Sequence, residues 1–89
     1  MSKISLGVLV ITDAAKEAYA TETVVACLVR HATGDWGDTP KEDAQMNDEA
    51  ISNSERILSS YTLDGGSLWI ITEGRGQDRV TTCLRPADY

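Results

Sequence analysis

One histidine and a run of carboxylates are the residues of this chain that could do the most chemistry. His31 is followed by Asp35 and Asp38, then by Glu42, Asp43, Asp48 and Glu49. An imidazole among carboxylates is a donor set for a hard or borderline divalent ion. It is equally an acid–base set. The spacing does not follow the calcium-loop pattern D-x-[DN]-x-[DN]-G-x5-E, since Asp35-Trp36-Gly37-Asp38 breaks it. The same residue types also serve helix ends, His31 closing one helix while Asp38 and Glu42 start the next. These residues therefore support two expectations. One is a small metal-dependent enzyme or metal-regulated binder centred on His31, Asp35 and Asp38. The other is plain helix termination.

The carboxylates matter in a second way. The chain has 89 residues and a net charge of −6, with 14 acidic residues in all. Asp35, Asp38, Glu42, Asp43, Asp48 and Glu49 are offset only by Lys41, so this short segment holds most of the net charge. A surface that is merely soluble mixes both signs, whereas six acids against one base carry mutual repulsion. A ridge of this kind suits a basic partner surface, or else forms a solvated helix face. Trp36 lies between the aspartates. It either plugs the core, with its indole N–H on a partner, or anchors an interface. The negative charge argues against direct nucleic-acid binding, which needs lysine and arginine to displace phosphate counterions.

Other chemistry is sparse. Cys27 and Cys83 are far apart and lack a C-x-x-C spacing, which suggests two buried, inert thiols of a reducing compartment. Zinc would need four ligands. Ser59, Ser60, Thr81 and Thr82 are strand hydroxyls, and a serine nucleophile would require His31 to be brought across the fold. Gly74-x-Gly76 lacks the ending of a phosphate loop. Arg56, Arg79 and Arg85 are expected to pair with Glu73 or the acidic helix. No cofactor is expected.

The elements that must position these residues are legible. One domain is expected at this length. Residues 4–11 are β-branched and end in a solid apolar run, which reads as a strand buried on both faces towards its end. Thr12-Asp13 starts a helix with Ala14, Ala15, Ala18 and Tyr19 on one side. After a break near Ala20-Thr21, Val24, Val25, Leu28, Val29 and Ala32 form the stripe of a second helix. Gly34 ends it. Thr39-Pro40-Lys41-Glu42 reads as a capping box with proline at the first helical position, opening a third helix to about residue 52. Strands are expected over 56–63, 67–73 and 79–84, with Asp64-Gly65-Gly66 as a hairpin turn. The fold class is α+β: an N-terminal strand, two to three helices, then a three-stranded antiparallel meander with helices on one face. No run approaches the ~20 apolar residues of a membrane span, and the short N-terminal run has no cleavage site of a signal peptide. A cytoplasmic protein is expected.

The set H-A-T-G-D-W-G-D at 31–38, E-D at 42–43, N-D at 47–48, R-I-L-S-S-Y at 56–61, W-I-I-T-E at 69–73 and T-T-C-L-R-P-A-D-Y at 81–89 resembles a family of small bacterial proteins. Its members occur on chromosomes, plasmids and phage-like regions and are commonly labelled plasmid-related. The resemblance spans nearly the whole chain and implies a mobile-element setting. Joined to the acidic ridge, it leads to the expectation of a non-enzymatic interaction protein. Such a protein would present Asp35, Trp36, Asp38, Glu42, Asp43, Asp48 and Glu49 to the basic groove of a nucleic-acid-binding defence complex, as an anti-CRISPR or anti-restriction inhibitor does. A further expectation is a homodimer formed through a sheet edge, with the last strand at that edge because Pro86 ends it.

Overall fold

The computed structural model describes residues 4–53 and 55–89. The architecture is α+β, with three α-helices and one four-stranded mixed sheet. Strand β1 (Val8–Ile11) leads into helices α1 (Asp13–Ala18), α2 (Thr21–Ala32) and α3 (Lys41–Asn53). Strands β2 (Ile57–Leu63), β3 (Gly66–Glu73) and β4 (Val80–Leu84) follow. The order across the sheet is β1-β4-β3-β2. The pairs β2–β3 and β3–β4 are antiparallel, while β1 lies parallel to β4, with Val8 opposite Val80 and Ile11 opposite Cys83.

Two expectations are corrected by this topology. The sheet is not a three-stranded antiparallel meander but a mixed sheet, because β1 joins it alongside β4. The final strand is therefore interior, and Pro86 falls after it in a 3₁₀ turn (Pro86–Asp88). The edges are β1 and β2. Placement at an edge also overturns the reading of β1 as doubly buried: Val8, Leu9 and Val10 are 59%, 51% and 43% exposed. An apolar run tells that a strand is apolar on both faces, but not that both are covered. The strand starts at Val8 rather than at residue 4 because Gly7 turns the chain with φ +65° against the Arg79 carbonyl, where any Cβ would collide.

The helices cover one face. Ile57, Ser59 and Tyr61 of β2, Leu68, Ile70 and Thr72 of β3, and Thr81 and Cys83 of β4 all point to that face and are buried. Ala15, Tyr19, Val24, Cys27 and Leu28 pack with Tyr61, Leu68, Ile70 and Cys83 in one hydrophobic cluster. Trp36 and Ala50 join Ile4 and Ile57 in another. The helix break at residues 19–20 falls where expected, and Thr12 caps α1 through the Ala15 N–H at 3.2 Å. Trp69 sits half-buried on the opposite face, edge-on to Tyr89 at 5.7 Å. Arg56 meets Glu73 at 3.6 Å, as its strand position suggested, whereas Arg79 and Arg85 bond backbone carbonyls. Among the described residues no helix is long and apolar enough to cross a membrane.

Candidate functional site: an acidic helix beside a sealed strand edge

His31 enters the core from the last turn of α2 and is fully buried. Its Nδ1 lies 2.5 Å from Ser59 Oγ and its Nε2 2.8 Å from Thr72 Oγ1. Thr72 Oγ1 is 2.8 Å from Thr81 Oγ1, which donates to the Leu6 carbonyl at 2.6 Å. Each hydroxyl has one proton, so the direction of the chain follows from its end. Thr81 spends its proton on Leu6, so Thr72 donates to Thr81 and accepts from His31 Nε2–H. Nδ1 then accepts from Ser59. Burial, with the Arg79 cation adding, lowers the His31 pKa from 6.5 to about 4, so the ring is neutral.

A serine hydroxyl on an imidazole is the start of a nucleophile–base pair. Here the fold does bring His31 to Ser59, the two being far apart in sequence. Both are sealed from solvent, however, and the far nitrogen meets a threonine rather than a carboxylate. The arrangement holds helix α2 on three strands.

Asp35 and Asp38 do not converge on His31. Asp35 pairs with Arg30 at 2.8 Å and accepts the Gly37 N–H at 3.1 Å. Those bonds hold its carboxyl below the ordinary range. Arg30 also stacks on the Tyr61 ring, 4.7 Å from its centroid. Asp38 accepts the Thr62 N–H at 2.7 Å, and hydrogen bonding by the Thr62 side chain and backbone lowers its pKa likewise. Among the described residues no three His, Cys, Asp or Glu side chains are grouped so as to hold a metal ion. The metal-centred reading of His31, Asp35 and Asp38 is corrected accordingly: the ring nitrogens are committed in the core and the carboxylates outside it.

Of the two readings of Trp36, core plug and interface anchor, the structure bears out the core plug. It is 6% exposed, packs in the second cluster, and donates its indole N–H to Asp48 at 3.0 Å. It is a core plug, and Asp48 is its hydrogen-bond acceptor. The segment that follows closes the outer edge of β2. Asp38 N–H donates to the Ser60 carbonyl at 2.6 Å, and Thr39 Oγ1 accepts the Ser60 N–H at 3.2 Å. Asn47 on α3 grips Leu58 twice, donating to its carbonyl at 2.7 Å and accepting its N–H at 3.2 Å. Thr39, expected to cap α3, thus spends its hydroxyl on Trp36 and Ser60. Asn47 carried no functional signal in the sequence beyond sharing a helical face with Asp43; its partner is a backbone that only the folded register presents.

What remains free is the outer side of α3. Glu42, Asp43 and Glu49 are exposed and form no ion pair among the described residues. The helix has acids in its first turn and no base in its last. Asp35, Asp38 and Asp48 are also exposed, each fixed by a local hydrogen bond. A shallow cleft beside the ridge is lined by Asp43, Met46, Asn47, Glu55, Arg56 and Leu58. Met46, at its rim, is 64% exposed. No protein-family model, curated protein or solved structure matches this chain.

Proposed function

We propose that this chain is a non-enzymatic interaction protein that offers the outer face of α3, and the loop leading to it, to a basic surface on a partner. The observation that carries this is the set Glu42, Asp43 and Glu49: exposed, unpaired among the described residues, and on one helix. Unpaired carboxylates held on a rigid element steer a basic partner and fix its register more than they add raw affinity. Asp35, Asp38 and Asp48 extend the negative surface from positions held by local hydrogen bonds. The mobile-element setting implied by the sequence resemblance directs the proposal to nucleic-acid-binding defence complexes, whose grooves are basic, with the mode of an anti-CRISPR or anti-restriction inhibitor.

The test is capture from a bacterial lysate by the wild-type protein and by a Glu42→Lys/Asp43→Lys/Glu49→Lys variant, read by mass spectrometry at low and moderate salt. Asp48 is left intact because it holds Trp36. A nucleic-acid-binding protein should be retained by the wild type alone and weaken with salt. Equal capture by both proteins, with circular dichroism unchanged, would remove the proposal.

A further inference from the structure

We propose that a second copy of this chain pairs with β1, edge to edge, forming a two-fold dimer whose sheet runs through both protomers. The sheet has two edges, and they are treated differently. At β2, the Leu58 and Ser60 backbone groups and the Thr62 N–H are met by Asn47, Thr39, Asp38 and Trp36. At β1 the Val8 and Thr12 N–H groups turn inward to Arg79 and Cys83 of the β4 side, each at 3.0 Å. Backbone groups alternate in direction along a strand, so those of Leu9 and Ile11 point outward. Among the described residues nothing meets them, and an edge left open in this way is a template for another strand.

The side chains agree with the backbone. Seven large hydrophobic residues are exposed among the described residues, and five of them, Val8, Leu9, Val10, Val25 and Val29, lie on β1 and the neighbouring α2. Leu9 shares a groove of about 430 Å³ with Leu6, Val25, Leu28 and Val29. Neither β1 nor this groove contains a charged residue. Of the exposed carboxylates, Asp13 and Glu22 lie at the ends of β1 and α2 outside the groove, while Glu42, Asp43 and Glu49 sit on α3, which packs against β2, three strand spacings away. At about 4.8 Å per spacing that is roughly 14 Å, beyond the screening length of about 8 Å at physiological salt. A chain of net charge −6 can therefore meet its copy at β1 without bringing the acidic helices together.

A two-fold axis at Val10 satisfies the geometry. Leu9 then lies opposite Ile11 of the second copy, and each such pair exchanges two backbone hydrogen bonds. Val10 meets its own copy at the axis, on the sheet face without helices, while Leu9 and Ile11 face the helices and bring the two α2 grooves side by side. This inference is independent of the acidic-surface proposal, because it uses the opposite end of the sheet.

Sedimentation equilibrium over a concentration series, with amide hydrogen exchange at both ends of it, tests the dimer. The wild type should associate, and the Leu9 and Ile11 amides should gain protection as it does. Val10→Lys places like charges across the axis on an exposed site and should weaken association by about tenfold or more. Val25→Glu, at an exposed position of α2, should weaken it through the groove. A protein monomeric at every soluble concentration overturns the proposal. So does a dimer whose Leu9 and Ile11 amides stay unprotected or which ignores both substitutions; that result would instead assign association to the open sheet face around Trp69.

Discussion

At the scale of the residue, His31 is the side chain with the largest consequence for stability. It ties α2 to β2 through Ser59 and to β3 through Thr72, and the chain continues to β4 through Thr81. His31→Ala removes a buried ring and leaves two buried hydroxyls short of a partner, at a cost of about 3 kcal/mol or more. Urea denaturation should report it as a large fall in midpoint. The same residue sets an acid limit. The unfolded chain takes up the imidazole proton near pH 6.5, the folded chain only near pH 4. The contribution is complete above the higher value and is lost as pH falls towards the lower, by about 3 kcal/mol in all. Asp35 and Asp38, whose pKa values are lowered, lose their contribution further down, below the ordinary carboxylate range. Urea midpoints between pH 7 and pH 4 should therefore drop steeply in the wild type. An equally steep drop over that window in a folded His31→Leu protein would show that His31 is not its source.

At the scale of the element, the 36–39 loop and α3 close one edge of the sheet. Gly37 makes this possible: its φ of +66° lets the backbone lie on the Ser60 carbonyl and the Tyr61 ring, a space that no Cβ can share. Gly37→Ala should cost about 2 kcal/mol or more through strain and displacement of this loop. Asn47→Ala loses both bonds to Leu58 and should cost about 2 kcal/mol. Thermal melting checks both, and unchanged midpoints would mean that the edge is held by something else. These elements also mark how far the sequence could be read. Helix and strand positions were legible because periodicity and caps are local: Thr12, the break at Ala20 and the Gly65 turn all signal within a few residues. Sheet order was not legible, because the pairing of β1 with β4 is decided by residues more than seventy positions apart. The acidic site was half legible. Carboxylate positions and their exposure follow from composition and helical phase. Which of them are already occupied, as Asp48 is by Trp36 and Asp38 by Thr62, depends on a register that no local pattern carries.

At the scale of the whole molecule, the acidic face of α3 and the exposed apolar surface lie at opposite ends of one sheet: Glu42, Asp43 and Glu49 on α3 over β2, exposed valines and Leu9 around β1. The strand joining the two halves is β4, which pairs with both β1 and β3. A chain truncated before Val80 should show no cooperative thermal transition, since β1 would have no neighbour in the sheet; a sharp transition would show that the helices and the β2–β3 hairpin suffice. The parallel pairing of β1 with β4 has a consequence for how this protein is made. Synthesis at 5–20 residues per second separates the appearance of Ile11 from that of its partner Cys83 by roughly 4 to 14 s. Throughout that interval a nascent Val-Leu-Val-Ile segment has emerged with no strand to receive it. The interval in which the growing chain is most exposed to wrong partners is thus set by the distance along the chain between its first strand and its last.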